Sequence, residues 1–133
     1  MMNDPRVDEL LEFVRIPSVS AQSSHRNDML ACAEWLVGKL GRMGLEARAE
    51  ETAGFPVVVG KTPRDPAKKT VLIYGHYDVQ PPEPLELWTS PPFDPAIRNG
   101  RIYGRGASDN KGQILAHILG VEEALTEIGR AHV

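Results

Sequence analysis

The run Val71-Leu72-Ile73-Tyr74 constrains the fold of this chain more than any other stretch, because it is continuously apolar and ends at once in Gly75-His76-Tyr77-Asp78. An uninterrupted apolar run of this length is the pattern of a strand buried on both faces, so Thr70 to Gly75 is expected to lie in the middle of a sheet. Side chains two apart on a strand share a face, and His76 and Asp78 therefore leave its end on the same side. Functional groups of open α/β sheets collect at the carboxyl ends of strands. After a proline-rich loop the chain reads Gly104-Arg105-Gly106-Ala107-Ser108-Asp109-Asn110-Lys111-Gly112, which brings a second carboxylate, Asp109, to the mouth of a helix. One imidazole and one acidic donor at the ends of buried elements make half of a metal site.

The remaining elements alternate. Val7, Leu10, Leu11 and Val14 recur at helical spacing between Pro5 and Pro17. Met29, Ala33, Leu36, Val37 and Leu40 define a second amphipathic helix, with Gly44 as its left-handed stop. Leu45 to Thr52 and Pro56 to Thr62 are strand candidates, and the polar, proline-broken segment 62–69 separates them from the apolar run. Asn99-Gly100 between Ala96-Ile97-Arg98 and Arg101-Ile102-Tyr103 is a two-residue hairpin signal. A last helix runs from about Lys111 to Ile128, with Ile114, Ile118, Val121, Leu125 and Ile128 as its apolar stripe.

Composition narrows the function classes. With 133 residues, 41% hydrophobic and 25% charged, the chain suits one folded domain. The net charge of −3 favours no partner class, and the absence of a basic stripe or aromatic platform argues against nucleic acid. No apolar run approaches the roughly 20 residues of a membrane span. The lone Cys32 cannot form an internal disulfide, and Met1-Met2-Asn3-Asp4-Pro5 lacks the regions of a signal peptide. The expected setting is cytoplasmic and reducing.

Each chemical signal has a plainer competitor. A lone histidine is more often packed or solvated than a ligand, and Asp78 could be a solvated loop acid. It could also hold the second nitrogen of His76 and fix its tautomer, the role favoured here. The glycine segment departs from a dinucleotide fingerprint where Asp109 replaces the third glycine, since a carboxylate there repels a pyrophosphate. It is no Walker loop either, because no Ser or Thr follows Lys111. Asp109 could simply cap the last helix, a role compatible with metal binding because a carboxylate has two oxygens.

Gly75-His76-Tyr77-Asp78-Val79-Gln80-Pro81, the segment Trp88 to Phe93 and Gly104 to Gly112 together resemble the M20 family of zinc metallopeptidases, close to its dipeptidase and carnosinase-like branch. The resemblance implies an α/β aminopeptidase-like three-layer sandwich with a mixed sheet between helices, incomplete in this chain. It implies that His76 binds one zinc, that Asp109 bridges two, and that Asp78 serves catalysis by orienting His76. Cobalt or manganese are other ions such a site accepts. The implied reaction is hydrolysis of an amide bond in dipeptides or small peptides by a metal-activated water, in an enzyme that could be a homodimer. A cis bond between Asp109 and Asn110 is implied as well. An N-acyl-amino-acid deacylase would use the same chemistry, and a non-catalytic fragment acting as a binding module is the reading from another class.

The family's Glu-Glu base and ligand, later acidic ligand and final histidine have no counterparts here, so residues 1–133 are expected to form the N-terminal portion of a catalytic domain. Glu122-Glu123 lies about 20 Å along the last helix from Asp109 at 1.5 Å per residue, and reads as a solvated face. His117, His25 and His132 are not persuasive ligands.

Overall fold

The computed structural model describes residues 4–131. Three helices carry the packing: α1 Pro5–Arg15, α2 Arg26–Arg42 and α3 Lys111–Ala131. Helix α1 starts where Asp4 accepts a hydrogen bond from the Arg6 amide (3.0 Å), with Pro5 in the first turn, and stops at Ile16 just before Pro17. Helix α2 ends as its glycine predicts. Gly44 has φ 86°, its amide donates to Gly41 O (3.0 Å), and the Leu45 amide donates to Leu40 O (3.2 Å), a paired closure of the last turn.

Strands β1 Glu46–Glu50 and β2 Val57–Lys61 pair antiparallel in the register Glu46 to Lys61 and Glu50 to Val57. A Cβ at Gly60 would come within 2.9 Å of Leu40 Cδ1, so this glycine lets β2 approach α2 closely. Strands β3 Ala96–Arg98 and β4 Arg101–Tyr103 form the expected hairpin. Asn99 and Gly100 have φ 51° and 71°, the two positive angles of a primed turn. A parallel bridge between Val19 and Val79 adds the one contact of parallel sense among the described residues. The α/β character is as expected, but the described sheets are two separate antiparallel pairs.

The core forms where the helices meet. Phe13, Cys32, Leu36 and Leu115 are buried together, and Phe13 stacks on Trp35 with centroids 4.5 Å apart. On α3, Ile114, Ile118, Val121 and Leu125 of the expected stripe are half-buried, Leu115 is buried beside them, and Ile128 is half exposed. Lys39 of α2 joins the three helices. Its Nζ lies 2.8 Å from Glu9 Oε1 and 2.9 Å from Glu122 Oε2. Glu122 is therefore an ion-pair partner rather than part of a solvated face, while Glu123 is exposed.

The expected central strand requires correction. Thr70 to Gly75 has no strand pairing among the described residues, and Val71, Leu72 and Tyr74 are 81%, 89% and 84% exposed. An apolar run specifies that a segment can be buried in a sheet, but the ladder that makes it a strand comes from neighbouring backbone. No described segment offers that backbone to both of its edges.

Candidate metal centre

Gly75 brings the end of the apolar run against α3, where a Cβ would overlap Ile114 Cγ2. The chain then turns through His76, Tyr77 and Asp78 into the bridge at Val79. His76 Nδ1 lies 3.0 Å from Asp78 Oδ1 and 3.1 Å from Asp78 O. Both neighbours are acceptors, so Nδ1 carries the proton, and in the neutral ring Nε2 keeps its lone pair. Nε2 lies 3.2 Å from Asp109 Oδ1.

Two acceptors facing each other at this distance require a positive centre between them, either a proton or a cation. The separation suits a metal. With Zn–N and Zn–O bonds of about 2.0–2.2 Å, two ligands of a tetrahedral ion are about 3.4 Å apart. Donor type, tautomer and spacing therefore fit a divalent cation, although no three or more His, Cys, Asp or Glu side chains are placed to hold one together among the described residues. The Asp109 side chain is 80% exposed, which leaves its second oxygen accessible.

Asp109 stands in the turn before α3, and its peptide bond to Asn110 is cis, as the family resemblance implied. Gly106 turns this loop with φ 90°, and Gly112 sits where a Cβ would meet Ala107 O. The loop is closed by the Lys111 amide, which donates to Gly106 O (3.0 Å). His76, Asp78 and Asp109 thus come together. His117 is exposed on α3, His25 is half-buried against Asp28 (2.7 Å), and His132 lies outside the described residues.

Three side chains that sequence reasoning passed over support this centre. Ser20 Oγ donates to Asp78 Oδ2 (2.5 Å), and Ser18 Oγ donates to Tyr77 O (2.6 Å). Lys111 is fully buried, and its Nζ donates to Phe13 O (2.9 Å) and Ile16 O (2.6 Å). Burial pushes its pKa down to about 8 and raises that of the neighbouring Cys32 thiol. Burial also pushes the Tyr77 hydroxyl, which donates to Pro56 O, up to about 12. The serines have no local signal. Lys111 had one, since a cation in the first turn of a helix opposes the macrodipole and needs a tertiary reason to be there.

Known proteins resemble the stretch of chain that carries this arrangement. The profile of the peptidase family M20/M25/M40 matches residues 72–132, from the apolar run through α3. The chain belongs to this family. It is 36% identical over 137 aligned residues to the Cys-Gly metallodipeptidase dug1 of Schizosaccharomyces pombe, covering 95% of this chain and 29% of that protein. The succinyl-diaminopimelate desuccinylase of Acidovorax ebreus is 58% identical over 59 residues, or 44% of this chain and 15% of that one. In structure, human carnosine dipeptidase 1 superposes with a TM-score of 0.83 at 32% identity, covering 92% of this chain and 28% of the other. The M20 chain accordingly spans under a third of the length of these relatives. No helix among the described residues is long and apolar enough to cross a membrane.

Proposed function

We propose that this M20 chain is the N-terminal portion of the catalytic domain of a zinc-dependent dipeptidase, acting in the cytoplasm on dipeptides or small peptides such as the Cys-Gly class. The observation that carries the reading is His76 Nε2 facing Asp109 Oδ1 at 3.2 Å while Asp78 occupies Nδ1. His76 and Asp109 would hold the metal, with Asp109 shared between two ions. When bound, zinc supplies Lewis acidity that polarises the scissile carbonyl and acidifies a water. Asp78 keeps the proton of His76 on Nδ1, so the lone pair on Nε2 stays available, and prevents the ring from rotating. Asp109 contributes negative charge at an exposed edge, where a small peptide can reach it.

The remaining donors and the general base belong to sequence beyond these residues, and a homodimer of the complete enzyme is part of the same proposal. A second reading rests on the 58% identity to a desuccinylase through the metal-bearing segment: cleavage of an N-acyl amide by the same chemistry. Desuccinylases also match 87% of the chain at 36% identity; the dipeptidase is preferred because dug1 matches 95% of it and two dipeptidase structures superpose over 92% and 94% of it with TM-scores of 0.83 and 0.80.

Titration calorimetry with zinc tests the site. With two of the three or more protein ligands that zinc ordinarily takes, this chain binds zinc weakly. Either His76→Ala or Asp109→Ala abolishes that binding, and tight stoichiometric zinc indifferent to both changes refutes the placement. The chain alone does not cleave Cys-Gly. In a protein of the relatives' length carrying this segment, Asp78→Ala lowers metal affinity or activity about 10- to 100-fold, and Asp109→Ala lowers it further. Cleavage of an N-succinyl amide in preference to a dipeptide by that protein selects the second reading.

A further inference from the structure

We infer that the segment from Phe13 to Ser20 is the jig that sets the two metal-bearing arms against each other, with Ser20 and Lys111 as its positioning residues. On one side it holds the His76 arm. The Val79 amide donates to Ser18 O (2.8 Å), Ser18 Oγ donates to Tyr77 O, and Ser20 Oγ takes the Asp78 oxygen that His76 does not use. The preceding residues 70–75 have no ladder among the described residues, so beyond the Gly75 contact with α3 and the Tyr77 hydroxyl's bond to Pro56 O the arm is held from this side. On the other side the same segment holds the Asp109 arm. The Asp109 side chain is exposed and packs little, but two residues later Lys111 ties the loop to the carbonyls of Phe13 and Ile16. Both arms thus reach the centre from eight consecutive residues. Ser20 acts on the metal through Asp78 and His76, and Lys111 acts through the backbone of the Asp109 turn.

This inference rests on the metal reading above, and its test separates the two. In the metal-free chain, nitrogen and proton resonances of the His76 ring report whether Asp78 still holds it. In the cobalt(II)-titrated chain, affinity and the visible absorption bands report the ligand geometry. Ser20→Ala is expected to shift and broaden the ring signals and to weaken cobalt about tenfold, the lower end of the effect of removing a ligand's hydrogen-bond partner. Ser20→Thr, which keeps the hydroxyl, restores both. Lys111→Met weakens cobalt and shifts its bands while leaving the His76 Nδ1–H signal in place, because it frees the Asp109 arm and not the Asp78 side of the ring. Should Lys111→Met not fold, the Ser20 pair decides. Unchanged ring signals in Ser20→Ala overturn the inference, as does an unchanged cobalt affinity where His76→Ala lowers it. Cobalt binding indifferent to His76→Ala sinks the metal reading instead, and the ring response still judges the role of Ser20.

Discussion

Gly112 and Gly120 stand on the same helix, yet they are glycines for opposite reasons. A Cβ at Gly112 would lie 2.1 Å from the Ala107 carbonyl oxygen, a backbone atom of the loop that carries Asp109, whereas a Cβ at Gly120 meets nothing within 4 Å. Glycine within a helix costs about 0.5–1 kcal/mol relative to alanine, so Gly120→Ala should raise stability by about that amount. Gly112→Ala should lower it by about 1–3 kcal/mol, the cost of forcing atoms into a packed site. Denaturant unfolding of the two variants checks the opposite signs. The same contrast explains which candidate residues could be picked from the sequence. His76 and Asp78 are two apart and Asp109 sits in a recognisable turn, so local spacing displayed their chemistry. Ser20 is 58 positions from Asp78, and Lys111 is 98 from Phe13; such pairings exist only after the chain has folded.

Among the elements, the three helices are joined by charge as well as by apolar contact. Lys39 is nearly buried and is held by Glu9 from α1 and Glu122 from α3. Burial disfavours its charge, but its hydrogen bonds to both carboxylates outweigh that and raise its pKa above the ordinary lysine value. A folded-state pKa above the unfolded one contributes stability that is complete below about pH 10.5 and declines as the pH rises through the folded value. Glu122→Gln leaves Glu9 in place and should cost no more than about 1 kcal/mol. Replacing both glutamates strands a buried ammonium and should cost about 3–5 kcal/mol. The double variant should also lose the alkaline decline, and thermal melts between neutral and alkaline pH check both. The helices, Gly44 and the Asn99-Gly100 turn were legible because caps and turns are written in neighbouring residues. Thr70 to Gly75, expected as a central strand, is unpaired here, because its apolar run records a capacity for burial that only distant backbone can satisfy.

That unsatisfied capacity dominates the behaviour of the molecule as a whole. Val71, Leu72, Ile73 and Tyr74 are 81%, 89%, 48% and 84% exposed, and their backbone is unpaired among the described residues. Contiguous apolar side chains beside free amide and carbonyl groups form a surface that a second chain can extend as a strand. Charged side chains suppress such pairing because each would have to be desolvated at the contact. The chain is therefore expected to self-associate as its concentration rises. Leu72→Lys combined with Val71→Glu should keep it monomeric without changing the thermal midpoint at low concentration, since these side chains bury little within one chain. Sedimentation velocity over a concentration series measures both effects. A monomer at every concentration would mean that the run is covered within the chain itself, which its exposure here contradicts. Association undiminished in the charged variant would move the sticky surface elsewhere, with Leu87, 78% exposed, the next site to change.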